Sequence, residues 1–379
     1  MKCNIEKIAP CWLASGGDQP DTRRLITLTN GILDFDCYMA GDTTNMMLNH
    51  DPNLFTFYQL PYAFDENAES PLWESFCEET FQNPDKILLA SEWFGHQFEA
   101  DMSHEVMMMF QGPPRGGKGT FAHAMQAALG GSPNASVTTF PVLAGQFGLA
   151  PLHKALSVVI GDTTSGGGGN TERDILLTIL NIVGRDPAII NQKHLRHLDM
   201  IRLRCRFTFC MNFFPKFRDD SGALLARTMI LTFNNSYYGC EDKTLKDRLA
   251  KEASEGKLLN WALRGLKSLH SRGAFIVPEE SVKAKKVFAS VVSPFGEFRE
   301  DTYGSDPTGQ VPASQIWWLW KEWCRDAGGK YGGKSDFIHK LLQTTPGTKE
   351  VPRGVGGNTE RMIVGIKLTE LATEALGTC

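Results

Sequence analysis

MMMFQGPPRGGKGTF, residues 107–121, carries an apolar run into a glycine-rich turn with one lysine and then into an alternating, helix-like segment. Gly112-Pro113-Pro114-Arg115-Gly116-Gly117-Lys118-Gly119-Thr120 has the GxxxxGK spacing. Glycines at this spacing let successive backbone N–H groups curl around phosphate oxygens, and the following helix adds its N-terminus. Lys118 is then placed for the β- and γ-phosphates. A GxxxxGK string by itself can be a chance glycine turn, but one between a strand and a helix is a phosphate loop in its required context. Nucleotide triphosphate binding is therefore the first expectation. One position departs from the common pattern: Gly119 stands where Ser or Thr follows the lysine, and Thr120 comes one place later. Thr120 is the candidate for touching magnesium, directly or through water.

The surrounding chain fits that reading. Hydrophobic strand-like segments at 107–110, 156–160, 200–211 and 226–233 alternate with helix-like ones at 119–131 and 171–184. Such alternation predicts an α/β layer with a largely parallel sheet. Leu156–Ile160 ends in Gly161-Asp162, so Asp162 is the expected magnesium-positioning acid. Thr171 is the expected cap of the next helix, and Glu172 in its first turn is the candidate for polarising water. Asn212 ends the strand RFTFCMN. An Asn there forms an Asx turn before Pro215 or, beside a phosphate loop, holds the lytic water or senses the γ-phosphate. Arg227 precedes the strand TMILTF and could reach the γ-phosphate of a neighbouring subunit, with Arg218 as its rival; a surface salt bridge is the plainer role of either.

Composition bounds the rest. The chain has 379 residues, 42% apolar and 22% charged, with a net charge of −4. These are globular values with room for two or three domains. No run of eighteen apolar residues occurs, so no membrane span is expected, and the first residues lack the apolar block of a signal peptide. The nine cysteines form no CxxC pair, which predicts buried thiols in a reducing cytoplasm and argues against zinc. Positive charge concentrates at Lys193–Arg218, with seven Lys/Arg against Asp199 alone, and more weakly at 311–368. Either is a solvated face or a contact for a phosphate backbone.

Five segments are expected. Residues 1–60 form strands and turns, with Asn30-Gly31 as a hairpin turn. Residues 61–103 form a small helical preamble, and 104–272 the nucleotide-binding core with following helices. Residues 273–310 form a linker region, including YGSDPTGQVP. Residues 311–370 form a small domain whose helix, helix, strand order and basic surplus fit a winged-helix-like module.

Taken together, GPPRGGKGTF (112–121), LSVVIGD (156–162), GRDPAIINQKH (184–194) and FCMNFFPKFRDDSGALLARTMILTF (209–233) resemble the superfamily 3 helicases, most closely the helicase part of phage and plasmid primase-helicases. PLWESFCEETF and SEWFGHQF resemble that group's helical preamble, and SQIWWLWKEWC with RMIVGIKL its appended winged-helix-like domain. The resemblance covers most of residues 25–368. It implies an α/β, AAA+-like P-loop NTPase core assembled as a homo-oligomer, a hexameric ring. ATP and Mg²⁺ would sit between subunits, with single-stranded DNA in the central channel. It makes Lys118 and Thr120 the Walker A residues, Asp162 the Walker B acid, Asn212 the polar sensor and Arg227 the finger in trans. The family's pore hairpin falls in the interval holding Lys193 and His194, which makes them the candidates for gripping DNA. The implied function is ATP-dependent DNA unwinding by strand exclusion in phage or mobile-element replication, in the cytoplasm of a bacterial host or phage-infected cell. The alternative is a DNA-binding ATPase that loads or assembles other proteins without processive unwinding. About a hundred residues precede the loop, too few for the primase domain common in the group. A helicase-only chain, or a fragment served by a separate primase, is expected.

Overall fold

In the computed structural model the described residues are 9–14, 19–161, 170–214, 222–292, 294–326, 331–355 and 358–377. The chain divides into two compact units, Met1–Phe288 and Ala289–Cys379.

The first unit is built on a five-stranded parallel sheet. Its strands are β4 (Met107–Gln111), β5 (Ala135–Thr138), β6 (Ser157–Ile160), β9 (Arg206–Met211) and β10 (Thr228–Thr232), in the order β10-β4-β9-β6-β5. The strand that carries the glycine-rich loop is therefore interior, and its residues Met107–Phe110 are wholly buried. Parallel strands covered on both faces read as continuous apolar runs, which is why MMMF and SVVI show no alternation.

Ahead of the sheet lie β1 (Leu25–Leu28), β2 (Gly31–Asp34) and β3 (Met47–Leu48), an antiparallel set, then helices α1 (Pro71–Phe81) and α2 (Pro84–His96). Ser70 and Asn83 cap these two helices, each with a proline at the first helical position, the arrangement that starts a helix most sharply. Leu28 pairs with Gly31, so the hairpin turn is Thr29-Asn30 and not the expected Asn30-Gly31. The Asn30 side chain bonds the Phe64 backbone. A Cβ on Gly31 would meet the Leu48 carbonyl oxygen at 2.6 Å, so this glycine serves strand packing.

The N-terminal strands and the helical pair share one core with the sheet. Trp73 of α1 sits among Phe76, Phe94, Phe121 and Trp261, with ring centroids 5.0–5.5 Å apart. Phe121 belongs to α3 (Lys118–Ala128), the helix that follows the glycine-rich loop. The preamble thus forms the aromatic floor under that helix.

After β6 come α4 (Asn170–Val183), a hairpin of β7 (Ala188–Ile190) and β8 (Leu198–Ile201), and the short α5 (Ala223–Arg227) just before β10. The α4 helix begins at Asn170, one residue before the expected cap Thr171. Then α6 (Leu245–Ser254) packs on α3, and α7 (Leu259–Arg272) on α2. Gly265 and Gly95 allow the latter pair to approach: a Cβ on either would lie 2.2 Å from a backbone atom of the other helix.

The expected linker at 273–310 is instead ordered structure. Helix α8 (Glu279–Val292) crosses the division between units; α9 (Pro294–Thr302) and strand β11 (Tyr303–Pro312) belong to the second. YGSDPTGQVP has the composition of a turn because β11 contains one. Its register with the neighbouring strand shifts between Ser305 and Gln310, and Asp306 accepts bonds from Thr308 and Gly309 there.

The second unit continues with α10 (Ala313–Asp326), α11 (Lys334–Thr344), β12 (Lys349–Val355), β13 (Asn358–Leu368) and α12 (Glu370–Gly377). Its antiparallel sheet has the order β11-β13-β12. Phe295, Phe298, Ile316, Trp320, Phe337 and Ile363 form its core.

Candidate functional site

The loop after β4 leaves the carboxyl end of the sheet. Gly112 has φ 157°, and a Cβ there would fall 2.0 Å from the Phe233 carbonyl oxygen, so only glycine lets the chain pass. Gly117 adopts φ 93° as the N-cap of α3 and offers no side-chain cap to the helix's first N–H groups. A helix start without a side-chain cap is a place where an anion is stabilised. Lys118 is 7% exposed, and its Nζ donates to the carbonyls of Gly112 and Pro113, both at 2.7 Å. The ammonium is therefore held inside the loop.

Thr120, in the first turn of α3, lines the same cleft. Gly119 is exposed, and a Cβ there would meet nothing within 4 Å. Packing does not explain the glycine at this position.

Register places the next element. Met211 of β9 pairs with Gln111 of β4, so Asn212 emerges beside Gly112 and lines the cleft. On the other side of β9, Ile160 of β6 pairs with Phe209. Asp162 itself lies outside the described residues, as does Arg218; Glu172 lies in α4, and its side chain is likewise outside what is described.

Arg227 is elsewhere. It ends α5, and the next residue, Thr228, pairs with Met107 at the start of β4. It therefore stands at the amino end of the sheet, a five-residue strand away from its own chain's loop, about 17 Å. Its guanidinium lies against Gly184, with Nη2 3.2 Å from where a Cβ would be, and its Nε is buried without a hydrogen-bond partner among the described residues.

Lys193 and His194 occupy the exposed turn of the β7–β8 hairpin, with His194 at φ 60°. Leu195 at the same tip is 70% exposed. The basic interval is not one solvated strip, however. Arg206 is fully buried on β9 and bonds the Asp101 carbonyl.

The cleft measures about 790 Å³, within the range of small-molecule sites. Two walls were not anticipated. Leu72, Phe76 and Glu79 of α1 form one; Tyr237, Glu241, Lys243, Lys246 and Arg248, after β10, form the other. The second is strapped to the loop: Tyr237 N donates to Arg115 O at 3.1 Å, Ser236 Oγ to Pro114 O at 3.0 Å, and Arg115 pairs with Glu241 at 3.5 Å. YYGCEDKTLKDR leaves the last strand at the carboxyl end of the sheet, where open α/β sheets build their sites; that signal was available in the sequence.

A lysine inside a glycine loop, uncapped helix donors, added cations and a polar residue at the adjacent strand end fit a phosphorylated ligand. Lys118 and the loop N–H groups would hold its phosphates, and Thr120 its cation. Among the described residues no three His, Cys, Asp or Glu side chains cluster as a metal site, and no helix is long and apolar enough to cross a membrane.

A family described as a family of unknown function (DUF5906) matches residues 110–228, less than half of the chain. No curated protein matches. Among solved structures, the A form apo structure of the NrS-1 C terminal region is similar over 84% of this chain and 80% of that one, with TM-score 0.53 and 13% identity. An apo structure of the NrS-1 C terminal region (305-718) covers 89% and 92%, with TM-score 0.50 and 14% identity. The likeness is one of fold. At this identity it aligns architecture and carries no residue roles.

Proposed function

We propose that the chain is an ATP-dependent DNA translocase, a helicase of phage or mobile-element replication, whose first unit is an AAA+-like P-loop NTPase working in a ring. The observation that carries the reading is the phosphate loop at the carboxyl end of an interior parallel strand, with Asn212 held beside it by register. The strand order β10-β4-β9-β6-β5, the motifs shared with superfamily 3 helicases and the fold likeness to the NrS-1 C terminal region support it.

Bound ATP with Mg²⁺ supplies a phosphoanhydride whose hydrolysis is strongly downhill. The loop N–H groups and Lys118 orient the phosphates and neutralise their charge. Thr120 and Asp162 hold the cation, Asn212 positions water, and Glu172 is the candidate for polarising it. Arg227, too distant from its own loop, acts on the phosphates bound by a neighbour. That division of labour requires an oligomer, and a hexamer follows from the family reading. Lys193 and His194 on the projecting hairpin grip single-stranded DNA in the channel. The second unit, with helices on a three-stranded antiparallel sheet, acts as a winged-helix-like module toward nucleic acid or a replication partner such as a separate primase.

Gly119 favours a second reading, a DNA-binding ATPase that loads or assembles other proteins with little turnover, because it removes the side-chain oxygen that usually meets the cation. Strand displacement on a forked duplex separates the two. Release of the labelled strand with ATP, and none with a non-hydrolysed analogue or with Lys118→Ala, supports the helicase. ATPase activity without displacement supports the loader.

A further inference from the structure

A second cleft opens at the amino end of the sheet, away from the phosphate loop. It measures about 480 Å³ and is lined by Arg23, Arg185, Arg202 and Arg204 against Asp101 and Asp186. These residues come from separate parts of the chain, the N-terminal segment, the end of α4 and the link between β8 and β9. Arg23 pairs with Asp21 at 2.5 Å and Arg185 with Glu105 at 2.6 Å, both at the surface. Arg202 is exposed and forms no ion pair among the described residues. Arg204 is largely buried; burial first, and then the neighbouring Arg23, act to lower its pKa, against the opposing influence of Tyr58. Like charges crowded in this way are relieved by an anion.

Arg202 and Arg204 also border a small separate cavity lined by Tyr58 and Lys154. Tyr58 is 7% exposed, and its hydroxyl has no hydrogen-bond partner among the described residues. Lys154 lies over the Phe57 ring at 5.6 Å. Arginines converging on one cleft beside a basic hairpin are a composition that meets a phosphate backbone. The cleft begins where β8 ends, since Arg202 is the residue after Ile201.

We propose that this arginine-lined cleft takes the sugar–phosphate backbone of single-stranded DNA at the base of the β7–β8 hairpin. The proposal rests on the nucleic-acid reading of the hairpin and extends the contact to residues from three other segments.

The test is anisotropy of a fluorescein-labelled oligo-dT with the full chain and a non-hydrolysed ATP analogue, from 50 to 200 mM salt. Arg23→Ala and Arg202→Ala are surface changes whose melting temperatures report the fold. Each should lower the slope of log affinity against log salt by about 0.7 and weaken binding about five-fold at 0.1 M salt, through lost counterion release. Arg202→Lys should restore much of the loss. A double variant that binds as tightly as the parent, with the same slope, overturns the proposal and leaves the hairpin reading standing. A double variant that keeps DNA affinity but loses ATP turnover also overturns it, and turns the cleft toward a neighbour's nucleotide. A parent chain that binds no oligo-dT overturns both.

Discussion

Lys118 shows how little freedom the loop leaves a single residue. Its ammonium is enclosed by two carbonyls of its own loop, so its alanine variant loses a preplaced charge and not merely a mobile one. Charge-assisted bonds of this kind are worth roughly 1.5–3 kcal/mol. Lys118→Ala should therefore weaken a fluorescent ATP analogue about ten-fold or more. Gly112→Ala should be worse, because its Cβ would strike the Phe233 carbonyl; loss of both nucleotide binding and melting temperature is expected. Gly119→Ser makes the opposite prediction. The space is open and serine favours helix over glycine, so the variant should melt at or above the parent temperature. Arg227 is tested by mixing. Lys118→Ala and Arg227→Ala chains, each inactive alone, should regain ATPase activity when combined, because a mixed interface pairs an intact loop with an intact arginine. A mixture that stays inactive contradicts a role across subunits.

At the scale of elements, the loop is held through its neighbours. Glu280 at the start of α8 accepts from Lys86 of α2, from Thr232 at the end of β10 and from Asn234 beyond it. Lys86 is 0% exposed and Glu280 36%. Glu280→Ala strands a buried ammonium. The expected cost is about 2 kcal/mol, below the range for fully buried pairs because Glu280 keeps solvent contact; chemical denaturation measures it. The strand–loop–helix at 107–128 was legible because glycine, lysine and apolar run all act locally. Asn212 was legible for the same reason, sitting at a strand end beside a recognised loop. The α1 wall was not, since nothing local in PLWESFCEETF sets Leu72 or Phe76 apart from the rest of a helix's apolar face. Their second role depends on α1 lying over the loop, a long-range fact. The linker at 273–310 was misread because α8 is charged and weakly patterned, and because β11 carries turn residues in its interior.

At the scale of the molecule, the first unit carries a titratable cluster in its core. Glu99 accepts bonds from His96 at 2.7 Å and His270 at 2.8 Å, joining α2 to α7. Burial works to raise the Glu99 carboxyl, but the bonds from the two histidines outweigh it and hold the group well below its ordinary range. Burial, with Arg206 adding to it, pushes His96 down from 6.5 to about 4. Both folded values lie below the unfolded ones, so the unfolded chain takes up more protons and stability is lost as the pH is lowered. The loss should begin as pH drops below about 6.5 and grow toward pH 4 and beyond. Melting curves of the parent and His96→Gln across that range check it; the variant should lose less stability on acidification.

A loop that drives movement on DNA must couple ATP turnover to the strand it moves. Steady-state ATPase rate with and without single-stranded DNA measures that coupling. DNA should raise the rate severalfold, and Lys118→Ala should abolish it in both conditions. An ATPase rate indifferent to DNA, from a chain that remains monomeric with a non-hydrolysed analogue, would contradict it.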